Sequence, residues 1–134
     1  MIDIELFRKD PKIYDAEIKK RGMKIDISLG ISLDSEKRKL TFKVDELRAK
    51  KNDASKIIPT LKGGDKTKVI AEMKEINSDL KEFEEKLEKL EKQYKIHFSS
   101  YPNLTHETTP VGPDESGNLI HSTNGEKPEF PVLV

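Results

Sequence analysis

Two runs of residues that repeat in alternating steps of four and three restrict this chain more than any other feature. The first run is Leu33, Lys37, Leu40, Val44, Leu47, Lys51, Ala54, Ile58 and Leu61. The second is Val69, Met73, Ile76, Leu80, Phe83, Leu87, Leu90, Tyr94 and either His97 or Phe98. A 3.5-residue period keeps one side of a helix against a partner helix, so two sustained runs predict a coiled coil. Between them lies Pro59-Thr60-Leu61-Lys62-Gly63-Gly64-Asp65. A connection this short makes the helices antiparallel neighbours.

In such a hairpin, facing residues have nearly constant index sums. Leu61 with Val69, Ala54 with Ile76, Leu47 with Phe83 and Leu40 with Leu90 give 130; Ile58 with Met73, Val44 with Leu87 and Leu33 with Phe98 give 131. The seams therefore match from tip to base. The same rule sets Lys51 opposite Leu80 and Lys37 opposite Tyr94, where each stem can lie on the seam while the ammonium reaches water. Pro59 is expected to end or kink the first helix, and Asp65 to cap the second. The arm is expected to be on the order of 40–50 Å long.

The composition suits a rod with one seam. Apolar residues make up 34% and charged residues 37%, against ~45–50% and ~25% in an average globular domain. The expected fold is all-α: a small helical cap over residues 1–32, a coiled-coil arm over 33–98 with its tip at about 59–65, and an irregular tail over 99–134. In the cap, Asp10-Pro11 starts a helix, Gly22 ends it, and Ile13, Tyr14 and Ile18 form its apolar face. The tail is punctuated by Pro102, Pro110, Gly112-Pro113, Gly117-Asn118, Asn124-Gly125, Pro128 and Pro131. Leu119-Ile120 and Phe130 to Val134 are candidate short strands in it, with little to pack against, so the tail is expected to be poorly ordered or to need a partner. The chain has no cysteine, which excludes disulfides and thiolate metal sites and fits a reducing compartment. It has no apolar run of the ~20 residues a membrane span needs and no signal-peptide pattern, and is expected to be cytoplasmic.

Few residues suggest chemistry. His97, His106 and His121 lack metal-ligand spacing. Gly64-Asp65-Lys66-Thr67 matches only the end of a phosphate-binding loop, with no strand before it. Asp114-Glu115 sits in a Pro/Gly-rich loop with no second carboxylate placed beside it, and Asn103-Leu104-Thr105 is a formal glycosylation acceptor without meaning in the cytosol. No catalytic residue, metal site or cofactor is expected within these 134 residues.

The charge distribution says more. The 25 basic and 25 acidic residues cancel, which excludes a uniformly basic protein. Residues 1–32 carry 7 basic and 6 acidic groups, 33–68 carry 11 and 6, 69–98 carry 6 and 8, and 99–134 carry 1 and 5. The first long helix is thus the basic element. Lys39, Lys43 and Lys50 fall within about 40° on one flank of it, with Lys37, Arg48, Lys51 and Lys62 across the seam. Such flanks can track phosphates, or they can pair with the acids of the second helix (Glu72, Glu75, Asp79, Glu82, Glu84, Glu85, Glu88 and Glu91).

The order of these pieces resembles a known family. Met1-Ile2-Asp3 through Leu6-Phe7-Arg8 and Pro11, Arg21-Gly22, Leu33-Asp34 with Lys37-Arg38, and Leu47-Arg48-Ala49-Lys50-Lys51-Asn52 with Ser55-Lys56 resemble the N-terminal domain of seryl-tRNA synthetases. Tyr101-Pro102-Asn103-Leu104, Pro110-Val111-Gly112, Asp114-Glu115 and Asn118 look like the junction into that family's catalytic domain. The chain departs from the family's usual pattern at Tyr101, Thr105 and Lys51. The resemblance implies a tRNA-binding arm that grips the long variable arm and elbow of a serine tRNA by backbone shape and charge. Its candidate contacts are Arg38, Lys39, Lys43, Arg48, Lys50, Lys51, Lys56 and Lys62. For the parent enzyme it implies ATP, magnesium and a homodimer formed through a catalytic domain that these residues lack; the arm alone is expected to be monomeric. The competing expectation is a coiled-coil adaptor that binds protein through its seam or tip.

Overall fold

The computed structural model describes residues 2–126 and 128. The chain divides into two compact units, Met1–Leu104 and Thr105–Val134. The first unit holds helices α1 (Ile4–Lys9), α2 (Pro11–Lys20), α3 (Ile27–Ile57) and α4 (Gly64–Ser99). At 1.5 Å per residue, α3 and α4 run about 46 and about 54 Å. They pack against each other as an antiparallel hairpin, and no strand occurs among the described residues.

Three aspartates start the first three helices by accepting hydrogen bonds from otherwise unpaired N–H groups. Asp3 accepts from Glu5 and Leu6, Asp10 from Lys12 with Pro11 next to it, and Asp26 from Ser28 and Leu29. Because Asp26 caps it, α3 begins at Ile27, well before the first seam residue Leu33. Gly22 ends α2 at φ 61°, with its N–H donating to Lys19 O and that of Met23 to Ile18 O, a closure that needs the left-handed conformation. Tyr14 and Ile18 are buried, but Ile13 is 37% exposed and does not belong to the apolar face.

Every position of the two predicted seams is buried or half-buried, and the second seam ends on buried Phe98 with His97 half-buried beside it. Val44, Leu47 and Leu80 form the centre of the arm, with Ile76, Phe83 and Leu87 packed on them. From there to the tip the seam residues are only half-buried. Lys37 stands over Tyr94 as the register requires, with Nζ 4.6 Å from the ring centroid. Its ammonium reaches the partly exposed edge of the seam, where it meets Glu91 Oε1 at 3.3 Å. Pro59 does end α3: the α-helix stops at Ile57 and one 3-10 turn, Ile58–Thr60, follows. Asp65 is not the cap of α4. Gly63, at φ 62°, turns the chain into the helix two residues earlier, and Asp65 lies in the first turn, where its charge faces the positive end of the helix dipole.

The base of the arm is closed by an aromatic cluster of Phe7, Tyr14, Phe98 and Tyr101, with Ile18. Phe7 meets Phe98 and Tyr101 edge-on at 5.1 and 5.7 Å, while Phe98 and Tyr101 stack at 5.2 Å. Beside it Arg8 of α1 grips Asp34 of α3 with two hydrogen bonds of 2.8 Å, and the Tyr94 hydroxyl of α4 donates to the same carboxylate at 3.4 Å. Asp34 thus ties the cap to both arm helices. Arg21 adds a second tie, donating to buried Glu17 and to the Asn103 carbonyl. Gly30 lies at the closest approach: a Cβ there would stand 2.4 Å from Tyr101 Oη and 3.2 Å from both His97 Nε2 and Phe7 Cζ.

In the second unit, Asp114 caps a single 3-10 turn, Glu115–Gly117, and Gly112 packs on Gly117. Leu119 and Ile120 form no strand and are 81% and 87% exposed; among the described residues there is no neighbouring strand for their backbone to pair with. The other candidate strand, Phe130 to Val134, lies outside the described residues.

Two outcomes test the closure. Gly30→Ala improves intrinsic helix propensity by up to about 1 kcal/mol, yet should lower stability by about 1–2 kcal/mol through overpacking. Adding Tyr101→Phe should recover part of that loss in denaturant melts, since it removes the nearest atom. The second concerns acid. The Arg8 hydrogen bonds hold the Asp34 carboxyl below its ordinary value of 3.8, so the unfolded chain binds the proton first. Its contribution is complete above the ordinary carboxylate range and is lost as the pH falls through that range towards the folded value. Melting temperature followed from neutral pH into acid should fall less steeply for Asp34→Asn than for wild type.

Candidate nucleic-acid interface

The seam fixes where each cation of α3 can point, because residues on it are turned inward and those between are turned out. Lys43 and Lys50 share one acid of their own helix: Glu46 receives Lys50 at 2.7 Å and Lys43 at 4.0 Å. The Lys50 hydrogen bond and the two lysine charges lower the Glu46 pKa. One carboxylate between two ammonium groups leaves these three side chains with an excess of positive charge.

Arg48 crosses to the partner helix, donating to Glu84 Oε1 at 2.7 Å, with Asp45 at 3.8 Å. Lys56 lies 3.4 Å from Asp53. Arg38, Lys39, Lys51 and Lys62 have no ion-pair partner among the described residues; Lys51 is half-buried on the seam and the other three are exposed. The acids of α4 thus pair across the hairpin with Lys37 and Arg48. The remaining α4 ion pairs, Lys86 with Glu82 and Lys92 with Glu88, stay within that helix.

The fold also adds cations that the sequence reading left out. Lys86, on α4, has an index sum of 129 with Lys43, so the register sets two lysines on facing flanks. Lys66 and Lys68 are exposed in the first turns of α4 next to the tip. The index rule applied to flank positions as well as to the seam would have found Lys86. Arg8 borders one shallow groove with Arg38 and Lys39, a proximity across 30 residues of sequence that no periodicity reports.

The other candidates take structural places. His97 shares a hydrogen bond with Tyr101 at 3.2 Å, and His106 with Thr108 at 2.9 Å. Asp114 accepts from the Ser116 N–H, and the Ser116 hydroxyl together with that N–H lowers its pKa. Gly64 to Thr67 is the first turn of α4, entered from a 3-10 turn and not from a strand. Among the described residues no three His, Asp or Glu side chains gather as a metal-ligand set, and no helix is long and apolar enough to cross a membrane. What the arrangement offers is a stiff rod with cations spread along it, chemistry suited to an extended polyanion.

Comparison with known proteins adds an independent observation. The family described as seryl-tRNA synthetase N-terminal domain matches residues 1–105. A serine–tRNA ligase of Desulfitobacterium hafniense (strain Y51) is 33% identical over 132 residues, which are 97% of this chain and 31% of the relative. One from Cupriavidus taiwanensis is 35% identical over 136 residues, covering 100% of the chain and 31% of the relative. One from Trichlorobacter lovleyi is 36% identical over 133 residues, 97% and 31%. The chain therefore spans about a third of the length of the curated relatives it matches.

The cross-helix pair is open to a direct check. Both partners are exposed, and exposed pairs contribute ~0.2–1 kcal/mol. A double-mutant cycle of Arg48→Ala and Glu84→Ala should give a coupling below about 1 kcal/mol that shrinks with added salt. Arg48 would then be free to exchange Glu84 for another anion at little cost.

Proposed function

Because the chain belongs to the seryl-tRNA synthetase N-terminal domain family, we propose that it serves translation as the tRNA-binding arm of a serine–tRNA ligase. The observation that carries this reading is the family match over the whole hairpin, together with the excess positive charge on α3. The partner is a serine tRNA, gripped by its long variable arm and elbow. The candidate contacts are Arg38, Lys39, Lys43, Arg48, Lys50, Lys51, Lys56 and Lys62.

The physics of the grip follows from the rod. Arm helices fixed by an internal seam hold their cations at set intervals, so they read the spacing of phosphates and not the bases, which A-form RNA hides in a deep groove. Arg38 and Arg48 can hold a phosphate with two parallel hydrogen bonds, while the lysines act as mobile point charges. Selectivity arises from whether the tRNA has a long arm to lie along the rod.

Attachment of serine, with ATP and magnesium, belongs in this reading to the part of such a ligase beyond this chain. The described residues offer no ligand set for the metal. The parent is a cytoplasmic homodimer joined through that other part, and the arm alone is a monomer. An adaptor that binds through the seam is the weaker reading, because the two seams bury each other.

Binding of the chain to a long-variable-arm tRNA and to a short-arm tRNA, measured across a salt series, tests the proposal. The long-arm tRNA should bind more tightly, and log affinity should fall with log salt by about 0.7–0.9 per phosphate neutralised. Changing Lys43 and Lys50 to Glu should reduce that slope by about two. Equal affinity for both tRNAs, or no loss in the double variant, would overturn the claimed role.

A further inference from the structure

Among the aromatic side chains of the arm helices α3 and α4, Phe42 alone is exposed. It lies off the seam, between Leu40 and Val44, and is 72% exposed. Its ring has no aromatic or cationic partner among the described residues. On a helix the surface neighbours of a residue are those three and four positions away, about 5–6 Å between Cβ atoms. For Phe42 these are Arg38, Lys39, Asp45 and Glu46, all charged. The ring is an isolated apolar disc in a charged surround. That is too little apolar area for the core of a protein interface, which needs a contiguous desolvated patch. It is the size of one nucleobase.

The charges next to it are unevenly committed. Glu46 is held by Lys43 and Lys50, and Asp45 lies 3.8 Å from Arg48. Arg38 and Lys39 have no ion-pair partner among the described residues. Both border the same shallow groove as Phe42, with Arg8. A bare ring beside two cations with no direct ion pair, Arg38 feeling only the charge of Asp34 one turn away, is complementary to a nucleotide, which presents a π face and a phosphate a few ångströms apart.

We propose that Phe42, Arg38 and Lys39 form a stacking subsite for an unpaired nucleotide of the bound RNA, a proposal that rests on the RNA-binding reading of the arm. The base lies on the Phe42 ring, and the phosphates flanking it lie against Arg38 and Lys39. Stacking on an aromatic side chain tolerates any base, and only a base splayed out of the helix can reach it. The subsite thus adds recognition of single-stranded nucleotides to the phosphate tracking of the lysine flank.

The test uses the full chain and two RNAs of equal length and charge, a hairpin with an unpaired loop and a blunt, fully paired duplex. Phe42→Ala should weaken the hairpin about tenfold, with duplex affinity and salt slope unchanged. Phe42→Trp should keep hairpin affinity. The chain contains no tryptophan, so the introduced indole is a single reporter, quenched by the hairpin and not by the duplex. Wild-type hairpin binding by Phe42→Ala, equal loss on both RNAs, or an unquenched indole at saturation would overturn the subsite. So would a sedimentation shift showing that Phe42→Ala breaks up a self-associated form of the RNA-free chain, because the ring would then be a protein contact. If changing Lys43 and Lys50 to Glu weakens both RNAs while Phe42→Ala has no effect, only the subsite fails. If wild type binds neither RNA, the RNA reading itself fails.

Discussion

The open end of the α3–α4 hairpin is closed by Phe7, Tyr14, Phe98 and Tyr101, and the rest of the arm depends on that closure. Two helices in contact bury one stripe each, which leaves the end away from the turn free to splay. Here α1 and α2 fold over it and contribute Phe7, Tyr14 and Ile18, the most buried apolar side chains at that end. Asp34 locks the arrangement by drawing on α1 through Arg8 and on α4 through Tyr94. The carboxylate is buried but fully paired, the condition under which a buried charge is tolerated. Burial then thins along the rod, from a packed centre at Val44, Leu47 and Leu80 to half-buried residues at the tip.

The same architecture explains how a chain of zero net charge can present a basic surface. The apolar residues on the seam are used internally, so the faces left over are rich in charge, with single exposed apolar side chains such as Phe42 and Ile96 among them. Most cations on α3 are matched by an acid nearby, but the matches are exposed and individually weak, and Lys43 and Lys50 have one acid between them. A polyanion laid along the rod competes with carboxylates that hold their partners loosely. Rigidity comes from the seam and the closed base, and adaptability from the lysines.

Much of this was legible in the residue order. The period of the seams, the breaker at Pro59 and the constant index sums gave two antiparallel helices, their register and the stacking of Lys37 on Tyr94. Aspartate before a helix, with proline after it at Asp10-Pro11, gave the start of α2. The resemblance to seryl-tRNA synthetases, carried by short runs such as Leu33-Asp34 and Tyr101-Pro102-Asn103-Leu104, agrees with the family match. What was missed is short or depends on a partner. Helix α1 has 6 residues, too few for a period to show. The entry of α4 turned on the backbone of Gly63 and not on the side chain of Asp65. Leu119-Ile120 reads as a strand by composition, but a strand exists only where another chain segment pairs with it.

The sequence by itself determined the hairpin, its register and the basic character of α3, because these follow from local periodicity and from counting residues around a turn of fixed length. Only the tertiary structure decided how the base is closed, which cations are matched across the hairpin, and that Arg8 borders the same groove as Phe42. Those outcomes depend on side chains from separate helices arriving within a few ångströms of one another. Contact energies fall off over that distance, and spacing along the chain does not encode it.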